Sequence, residues 1–165
     1  MLRLEVMDKN IHDRQSFDCG NEELNKYIKE IARQDIINGI TQVYVFVEQH
    51  DHAPKKIYGY FTLNAFLILT EDIISVEKKV TSKYPTIPAI LIGRLAKERD
   101  QNLIKGSEIL FTALYKAKAI SKEIGAAYVI VHAIDDKAID FYQKYGFDKV
   151  PSKESTLIFS LKSLE

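Results

Sequence analysis

Hydrophobic and polar positions follow two different periods along this chain, and each period predicts a type of element. Between residues 41 and 47 every second position is valine from Val43 onwards, and this period of two predicts a β-strand. Residues 57–63 are similarly apolar after a polar stretch that contains Pro54, so the two strands are predicted to pair as a hairpin. Residues 2–7 alternate more loosely and predict an edge strand.

Helical periods of three and four residues mark three further segments. Behind Asn21, a good N-cap, apolar residues recur to position 32, and Ile36 and Ile37 suggest a second short helix before Gly39. The segment after Gly106 has one apolar face that ends at a glycine, and its members are Ile109, Leu110, Ala113, Leu114, Ala117, Ile120 and Ile124, followed by Gly125. Asp135 caps a third helix, whose inner face is Ala138, Ile139, Phe141, Tyr142 and Tyr145 before Gly146.

The segment 87–96 is apolar at both odd and even positions, which predicts a strand that is buried on both faces. Residues 128–132 predict a short parallel strand, and residues 147–150 and 156–161 a last hairpin. Between positions 64 and 86 the pattern is weaker: residues 66–69 extend the preceding strand, and residues 73–80 form a short helix or a covering flap. The fold class predicted by this order is α/β with a mixed, mostly antiparallel central sheet and helices on both faces.

Composition narrows the class of protein. A length of 165 residues suits a single domain spanning 1–165. The 23 basic and 23 acidic residues cancel, so any RNA contact requires a local basic patch. The single cysteine, Cys19, excludes an internal disulfide, and the four scattered histidines show no metal-ligand spacing. Without an apolar leader or a run of about 18 apolar residues, the expected location is the cytoplasm, with no membrane partner.

A candidate anion site lies where the buried strand leads into the following helix. The connecting turn carries Lys97, Arg99 and Lys105, and the helix begins near Gly106. Free backbone N–H groups and the positive end of the helix dipole favour phosphate at such a position.

Several motifs, in their order along the chain, carry a resemblance to a known family. Arg94-Leu95-Ala96, Gln101, Gly106 and Ile109-Leu110 resemble the acetyl-CoA motif of the GNAT N-acetyltransferases. The sequences Val131-His132-Ala133 and Phe141-Tyr142-Gln143-Lys144-Tyr145-Gly146-Phe147 resemble the next strand and helix of that superfamily. Phe17-Asp18-Cys19-Gly20, Leu24-Asn25 and Gly59-Tyr60-Phe61-Thr62-Leu63 resemble one branch, the aminoacyl-tRNA-acetylating toxins of type II toxin–antitoxin modules.

The resemblance implies a GNAT fold, acetyl-CoA as co-substrate, and acetyl transfer to the α-amine of aminoacyl-tRNA. It implies that Tyr142 is the acid that protonates the departing thiolate. It also implies a homodimer and a small DNA-binding antitoxin as partners. The implied cofactor-binding residues follow the long strand and its turn: Leu95, Ala96, Lys97, Gln101, Asn102, Ile104, Lys105, Gly106 and Ser107.

The turn departs from the family pattern, because Ile104 replaces its middle glycine and toxin relatives usually also have glycine where Asn102 stands. A β-branched residue does not admit the backbone conformations of glycine, so weakened acetyl-CoA binding is one expectation and a non-catalytic binding module another. A housekeeping enzyme that acetylates a small amine or a protein N-terminus is a further alternative.

No general base is evident in the sequence. The candidates are His132, Glu98, Asp135 and Asp136, and each also has a structural explanation as a strand residue, a cap or a solvated charge. An α-amino group with a pKa of about 7.8 is roughly one-third neutral at pH 7.5, so such a substrate needs a base less than a lysine does. The outer lysines of the central helix, Lys116, Lys118 and Lys122, are candidates for RNA contact or for ordinary solvated charge.

Overall fold

A computed structural model describes residues 1–77 and 83–164 of the chain. Its strands are β1 (Leu2–Val6), β2 (His12–Asp13), β3 (Gln42–Glu48), β4 (Lys55–Lys56), β5 (Gly59–Leu69), β6 (Thr86–Lys97), β7 (Tyr128–His132), β8 (Asp148–Val150) and β9 (Lys153–Ser160). Its α-helices are α1 (Glu22–Lys26), α2 (Ala32–Ile37), α3 (Thr70–Ile74), α4 (Gly106–Glu123) and α5 (Asp136–Lys144). A π-helix, Tyr27–Ile31, joins α1 to α2, and a 3₁₀ turn, Leu161–Ser163, follows β9.

Seven of these strands form one mixed sheet in the order β1-β3-β5-β6-β7-β9-β8, and β2 pairs separately with β4. The pairs β1/β3, β3/β5, β7/β9 and β8/β9 are antiparallel. The pair β6/β7 is parallel and runs from Ala89↔Tyr128 to Ile92↔Val131. The predicted fold class, the edge position of the first strand and the Val43–Leu63 hairpin are confirmed.

The chain divides into two compact units, and the first comprises Met1–Asn64 with Arg94–Ala113. Its apolar core contains residues of strands β3 and β5 and of the helical segment 22–37. Five of its side chains are almost completely buried: Phe17, Tyr27, Ile28, Val45 and Tyr60. The rings of Phe17 and Tyr60 meet edge to face, with centroids 5.4 Å apart. This packing fixes the segment Phe17–Ile28 against β5 within the unit.

The second unit comprises Ala65–Gly93 with Leu114–Glu165. Its apolar cluster consists of Ile68, Ile73, Ala89, Tyr128, Ile130, Val150 and Ile158. Whether the two units form a single domain, as the length suggests, stays a prediction.

Local capping explains why the helices begin where they do. The Asn21 side chain accepts the N–H of Leu24 at 3.0 Å, and the Asp135 carboxylate accepts that of Ala138 at 2.7 Å. The π-helix was not predicted. Its carbonyls at Ile28 and Lys29 accept the Arg14 guanidinium at 3.3 and 3.2 Å, which replaces part of the disturbed helical bonding.

Two further differences from the sequence analysis concern short elements. The small parallel pair β2/β4, which joins His12 to Lys55, has no clear periodic signal. The predicted helix or flap at residues 73–80 lies partly outside the described residues, and within them α3 begins earlier, at Thr70. Across residues 1–77 and 83–164, no helix combines the length and apolar character that a membrane span requires.

Candidate active site

The turn between β6 and α4 is organised by one side chain, that of Gln101. Its Oε1 accepts the N–H groups of Leu103 at 2.7 Å and Ile104 at 3.0 Å. Its Nε2 donates to the carbonyls of Glu98 at 3.2 Å and Ile104 at 3.0 Å. The Gln101 amide thus folds residues 98–104 around itself, and this explains the glutamine at the start of the motif.

The same turn leaves backbone donors free at the start of α4. Glu108 Oε1 accepts the N–H of Lys105 at 3.1 Å, as in a capping box. Among the residues that the structure describes, the N–H groups of Gly106 and Ser107 have no hydrogen-bond partner. With the exposed Lys105 beside them, they lie at the helix N-terminus where the sequence predicts an anion site, and anion binding there stays a prediction.

Ile104 does not distort this turn. No residue other than glycine has a positive φ in the described ranges, so position 104 has a backbone conformation that isoleucine adopts without strain. The Ile104 side chain is 7% exposed and packs inward, whereas Asn102 is exposed. The backbone at position 104 therefore does not itself require glycine, and the expected weakening of acetyl-CoA binding stays a prediction.

Strand β6 has further backbone donors beyond its paired register with β7. The N–H groups of Arg94 and Glu98 donate at 3.0 Å to Thr62 Oγ1 and to the Tyr58 carbonyl, both on the β5 side. Since N–H groups alternate in direction along a strand, those of Leu95 and Lys97 point away from β5. The paired register with β7 ends at Ile92, so these two groups take no part in the β6/β7 ladder.

The toxin-like N-terminal motif supports the end of β6. The buried carboxylate of Glu98 accepts the N–H of Asp18 at 2.8 Å, and the N–H of Arg99 donates to the Asp18 carbonyl at 3.0 Å. Asp18 Oδ1 in turn accepts the N–H of Gly20 and the Asn25 amide, and these bonds help to hold the pKa of Asp18 below its ordinary value. Glu98 is therefore a structural acceptor at this position rather than an evident base.

The second toxin-like motif is explained by close packing. A Cβ at Gly59 would lie 2.6 Å from Ile109 Cδ1 and 3.2 Å from the Ala96 carbonyl oxygen. A side chain at position 59 would therefore require Ile109 and β6 to shift, and glycine lets β5 lie close to β6 and α4 without such a shift. Tyr60 donates its hydroxyl hydrogen to the Leu24 carbonyl at 2.7 Å, which ties the motif to α1.

In the second unit, Tyr142 lies on α5 among aromatic rings. Its side chain is 9% exposed, and its ring centroid lies 5.3 Å from that of Phe141 and 5.2 Å from that of Phe147. Burial raises the pKa of Tyr142 to about 12, so its phenol keeps its proton at physiological pH. No described residue hydrogen-bonds to its hydroxyl, which is not sealed from solvent. The phenol is therefore fixed in place and available as a donor.

The other candidates near Tyr142 have structural roles. Tyr145 packs edge to face on Phe141 at 5.3 Å, and Asp135 is the cap of α5. His132 Nδ1 lies 3.3 Å from Thr156 Oγ1, and its ring meets Phe66 edge to face. Burial, and then the charge of Lys153, lower the pKa of His132, so it is mainly neutral near pH 7.

The three helix lysines do not form a uniform surface. Lys118 Nζ donates to the Leu161 carbonyl at 2.8 Å, which ties α4 to the end of β9 within the second unit. Lys116 is half-buried and has interactions of its own, and only Lys122 is exposed. Whether these lysines contact RNA or are ordinary solvated charges stays a prediction.

Comparisons with known proteins find relatives among the toxins that the sequence motifs resemble. No family model matches the chain. A probable toxin TacT from Sinorhizobium fredii is 24% identical over 157 residues, covering 90% of this chain and 85% of that protein. A tRNA-acetylating toxin from Mycobacterium tuberculosis is 26% identical over 152 residues, covering 91% and 87%.

Solved structures extend the likeness to three dimensions. AtaT complexed with acetyl-methionyl-tRNAfMet is 28% identical, with a TM-score of 0.86 and coverage of 99% of this chain and 97% of that one. A Tyr→Phe mutant of AtaT, bound to the C-terminus of the antitoxin AtaR and acetyl-CoA, is 26% identical, with a TM-score of 0.81 and coverage of 98% and 94%. The expected GNAT fold is confirmed, as is the resemblance to the toxins.

Proposed function

We propose that this chain, which has the GNAT acyltransferase fold and resembles the tRNA-acetylating toxins over nearly its whole length, is an acetyl-CoA-dependent N-acetyltransferase. Its acceptor is the α-amine of aminoacyl-tRNA, and the modification blocks translation. The observation that carries the proposal is the turn before α4, which offers free N–H groups and a lysine in a chain similar to an acetyl-CoA-bound toxin.

The turn and β6 supply the binding groups for acetyl-CoA. The N–H groups of Gly106 and Ser107, with Lys105, bind the pyrophosphate. Gln101 holds the turn in shape, and Ile104 fills its inner side. Asn102 lies on its outer side, while Ala96 and Lys97 belong to the strand that leads into it. The Leu95 N–H points away from β5 and stabilises the oxyanion that forms at the thioester carbonyl.

Tyr142 completes the chemistry of the reaction. The neutral amine attacks the carbonyl carbon, the C–S bond breaks, and the phenol of Tyr142 donates its proton to the departing sulfur. The proton that the acylated nitrogen loses restores the phenol, so the proton balance closes. Because burial keeps Tyr142 protonated and an α-amine is partly neutral near pH 7.5, this scheme needs no dedicated base.

The cellular setting follows from the same resemblance. We place the reaction in the cytoplasm, where charged tRNA is found, and expect a homodimer that a small DNA-binding antitoxin neutralises. The structures of relatives include AtaT bound to the antitoxin AtaR and a KacTA–DNA complex.

Mass analysis of tRNA after controlled expression in cells is the direct test. We expect one or more charged tRNAs to carry an acetylated α-amine, and growth to stop. In vitro, raising salt from about 50 to 200 mM should lower kcat/KM for charged tRNA by about tenfold or more, because tRNA binding releases counterions. Harmless expression and unmodified tRNA, together with turnover of small amines, would instead identify a housekeeping acetyltransferase.

A further inference from the structure

A half-buried arginine in the first unit has no anionic partner. The Arg94 guanidinium carbon lies 3.5 Å from the centroid of the Tyr27 ring. In the described part of the chain, no carboxylate pairs with this guanidinium and no atom accepts a hydrogen bond from it. The tyrosine ring attracts the cation but does not neutralise it, so the N–H donors of Arg94 keep their capacity to bind an anion.

The surroundings of Arg94 hold it in one place. Its backbone N–H is fixed by Thr62 Oγ1 at 3.0 Å. The ring beneath it belongs to Tyr27, which is 1% exposed and donates its hydroxyl hydrogen to Asp35 at 2.8 Å. Asp35 is thereby engaged with Tyr27 and forms no ion pair with Arg94. The guanidinium is therefore preorganised and already partly desolvated.

The position of Arg94 on strand β6 links this residue to the binding of the acceptor. Arg94 directly precedes Leu95 on β6, and the backbone N–H of Leu95 is the proposed oxyanion donor, so the two residues are immediate neighbours. In aminoacyl-tRNA the reacting amine is linked by an ester to the 3′-terminal adenosine, and the nearest anion is the 5′-phosphate of that nucleotide. A guanidinium fork matches the geometry of a phosphate and binds it through two N–H groups.

We infer that Arg94 binds the 5′-phosphate of the 3′-terminal nucleotide of the acceptor tRNA, and this inference rests on the proposed function. The contact positions the ester-linked α-amine on the strand that carries the oxyanion donor. It also selects an acceptor that bears a nucleotide over a free amino acid or a small amine.

The test uses two minimal acceptors that differ by one phosphate. These are 3′-O-aminoacyl-adenosine and its 5′-monophosphate, carrying the amino acid that mass analysis finds acetylated on tRNA. We expect the wild-type protein to favour the monophosphate by about tenfold or more in kcat/KM, as for a charge-assisted phosphate contact. Arg94→Gln should remove that preference, so that its kcat/KM values for the two acceptors agree within about twofold, and Arg94→Lys should retain part of it.

A matched control is Arg33→Gln, which removes an exposed arginine from α2 and should keep the full preference. If Arg94→Gln lowers turnover of both acceptors equally, Arg94 only supports the packing of Tyr27, and the inference fails. It also fails if the wild type does not distinguish the acceptors, or if Arg94→Gln weakens acetyl-CoA binding instead. Failure of the wild type to acetylate charged tRNA at all would overturn the proposed function itself.

Discussion

The turn at residues 101–107 and the aromatic cluster around Tyr142 hold the groups that we propose to be functional in opposite ways. The turn is polar and local: one amide makes its four hydrogen bonds within a short stretch of chain and leaves neighbouring N–H groups free. The cluster is apolar and holds its functional group by packing. Phe141 and Phe147 surround the Tyr142 ring, and this burial keeps the phenol protonated.

The difference shows which substitutions each region tolerates. A turn held by the Gln101 side chain accepts isoleucine at position 104, because no left-handed backbone is needed there. A phenol held by packing depends on the shape of its neighbours, and its hydroxyl can be removed with little effect on that shape. Substitution of Tyr142 should therefore lower activity with little effect on the stability of the fold. Substitutions in the turn should change both activity and stability.

The largest expected effect is that of Tyr142→Phe. Loss of the general acid should lower kcat by about 10²–10⁴-fold, while the melting temperature and the Kd of acetyl-CoA stay nearly unchanged. Steady-state kinetics, thermal unfolding and a cofactor titration measure the three quantities. Tyr145→Phe, one helical turn away, is the control and should keep most of the activity. Equal turnover of the wild type and Tyr142→Phe would show that Tyr142 contributes only to packing.

Ile104→Gly tests whether the turn is weakened by its departure from the family pattern. Removing a buried isoleucine should lower the free energy of unfolding by about 2–5 kcal/mol. The affinity for acetyl-CoA should not rise, because the backbone gains no conformation that it requires. Chemical denaturation and a cofactor titration measure these effects, with the exposed Leu103→Gly as control. Tighter binding by Ile104→Gly would contradict the assigned conformation of the turn.

Gln101→Ala should disrupt the turn more selectively. Each net hydrogen bond contributes about 0.5–1.5 kcal/mol, so partial loss of these bonds should raise the Kd of acetyl-CoA by about 10- to 100-fold. At saturating acetyl-CoA, kcat should approach that of the wild type, because Gln101 holds the binding turn and does not touch the reacting atoms. Leu103→Ala changes an exposed side chain of the same turn and is the matched control. An unchanged Kd would show that the turn does not bind the cofactor.

The smallest effect concerns pH. The phenol of Tyr142 must be protonated to act as a donor, and its pKa is raised by burial to about 12. The rate should therefore rise as the α-amine loses its proton near a pKa of about 7.7–8.0 and then stay flat to about pH 10. A pH profile of kcat/KM over the range in which the protein stays folded measures this. A decline that begins near the ordinary tyrosine pKa of about 10 would show that the cluster does not protect the phenol.

The sequence alone determined the elements whose signals are local. Asp135 and Gly146 bound helix α5 because a cap and a positive φ act on adjacent residues, and φ at Gly146 is +95°. The strand at residues 128–132 was predicted with its observed bounds, since a short run of β-branched and apolar residues is enough to specify it. The family motifs likewise predict a role for the turn and for Tyr142, because motif spacing is a property of the chain, and those roles stay predictions.

Only the tertiary structure decided which groups are engaged and which are free. Lys118 belongs to a helix face that appeared exposed, but its ammonium is bonded to the Leu161 carbonyl, far along the chain. Arg94 meets Tyr27, and Glu98 accepts from Asp18, through contacts between residues that are distant in sequence. Periodicity describes neighbours three or four positions apart, whereas these pairings depend on how strands and helices pack, and packing sets both the exposure and the partners of a charged group.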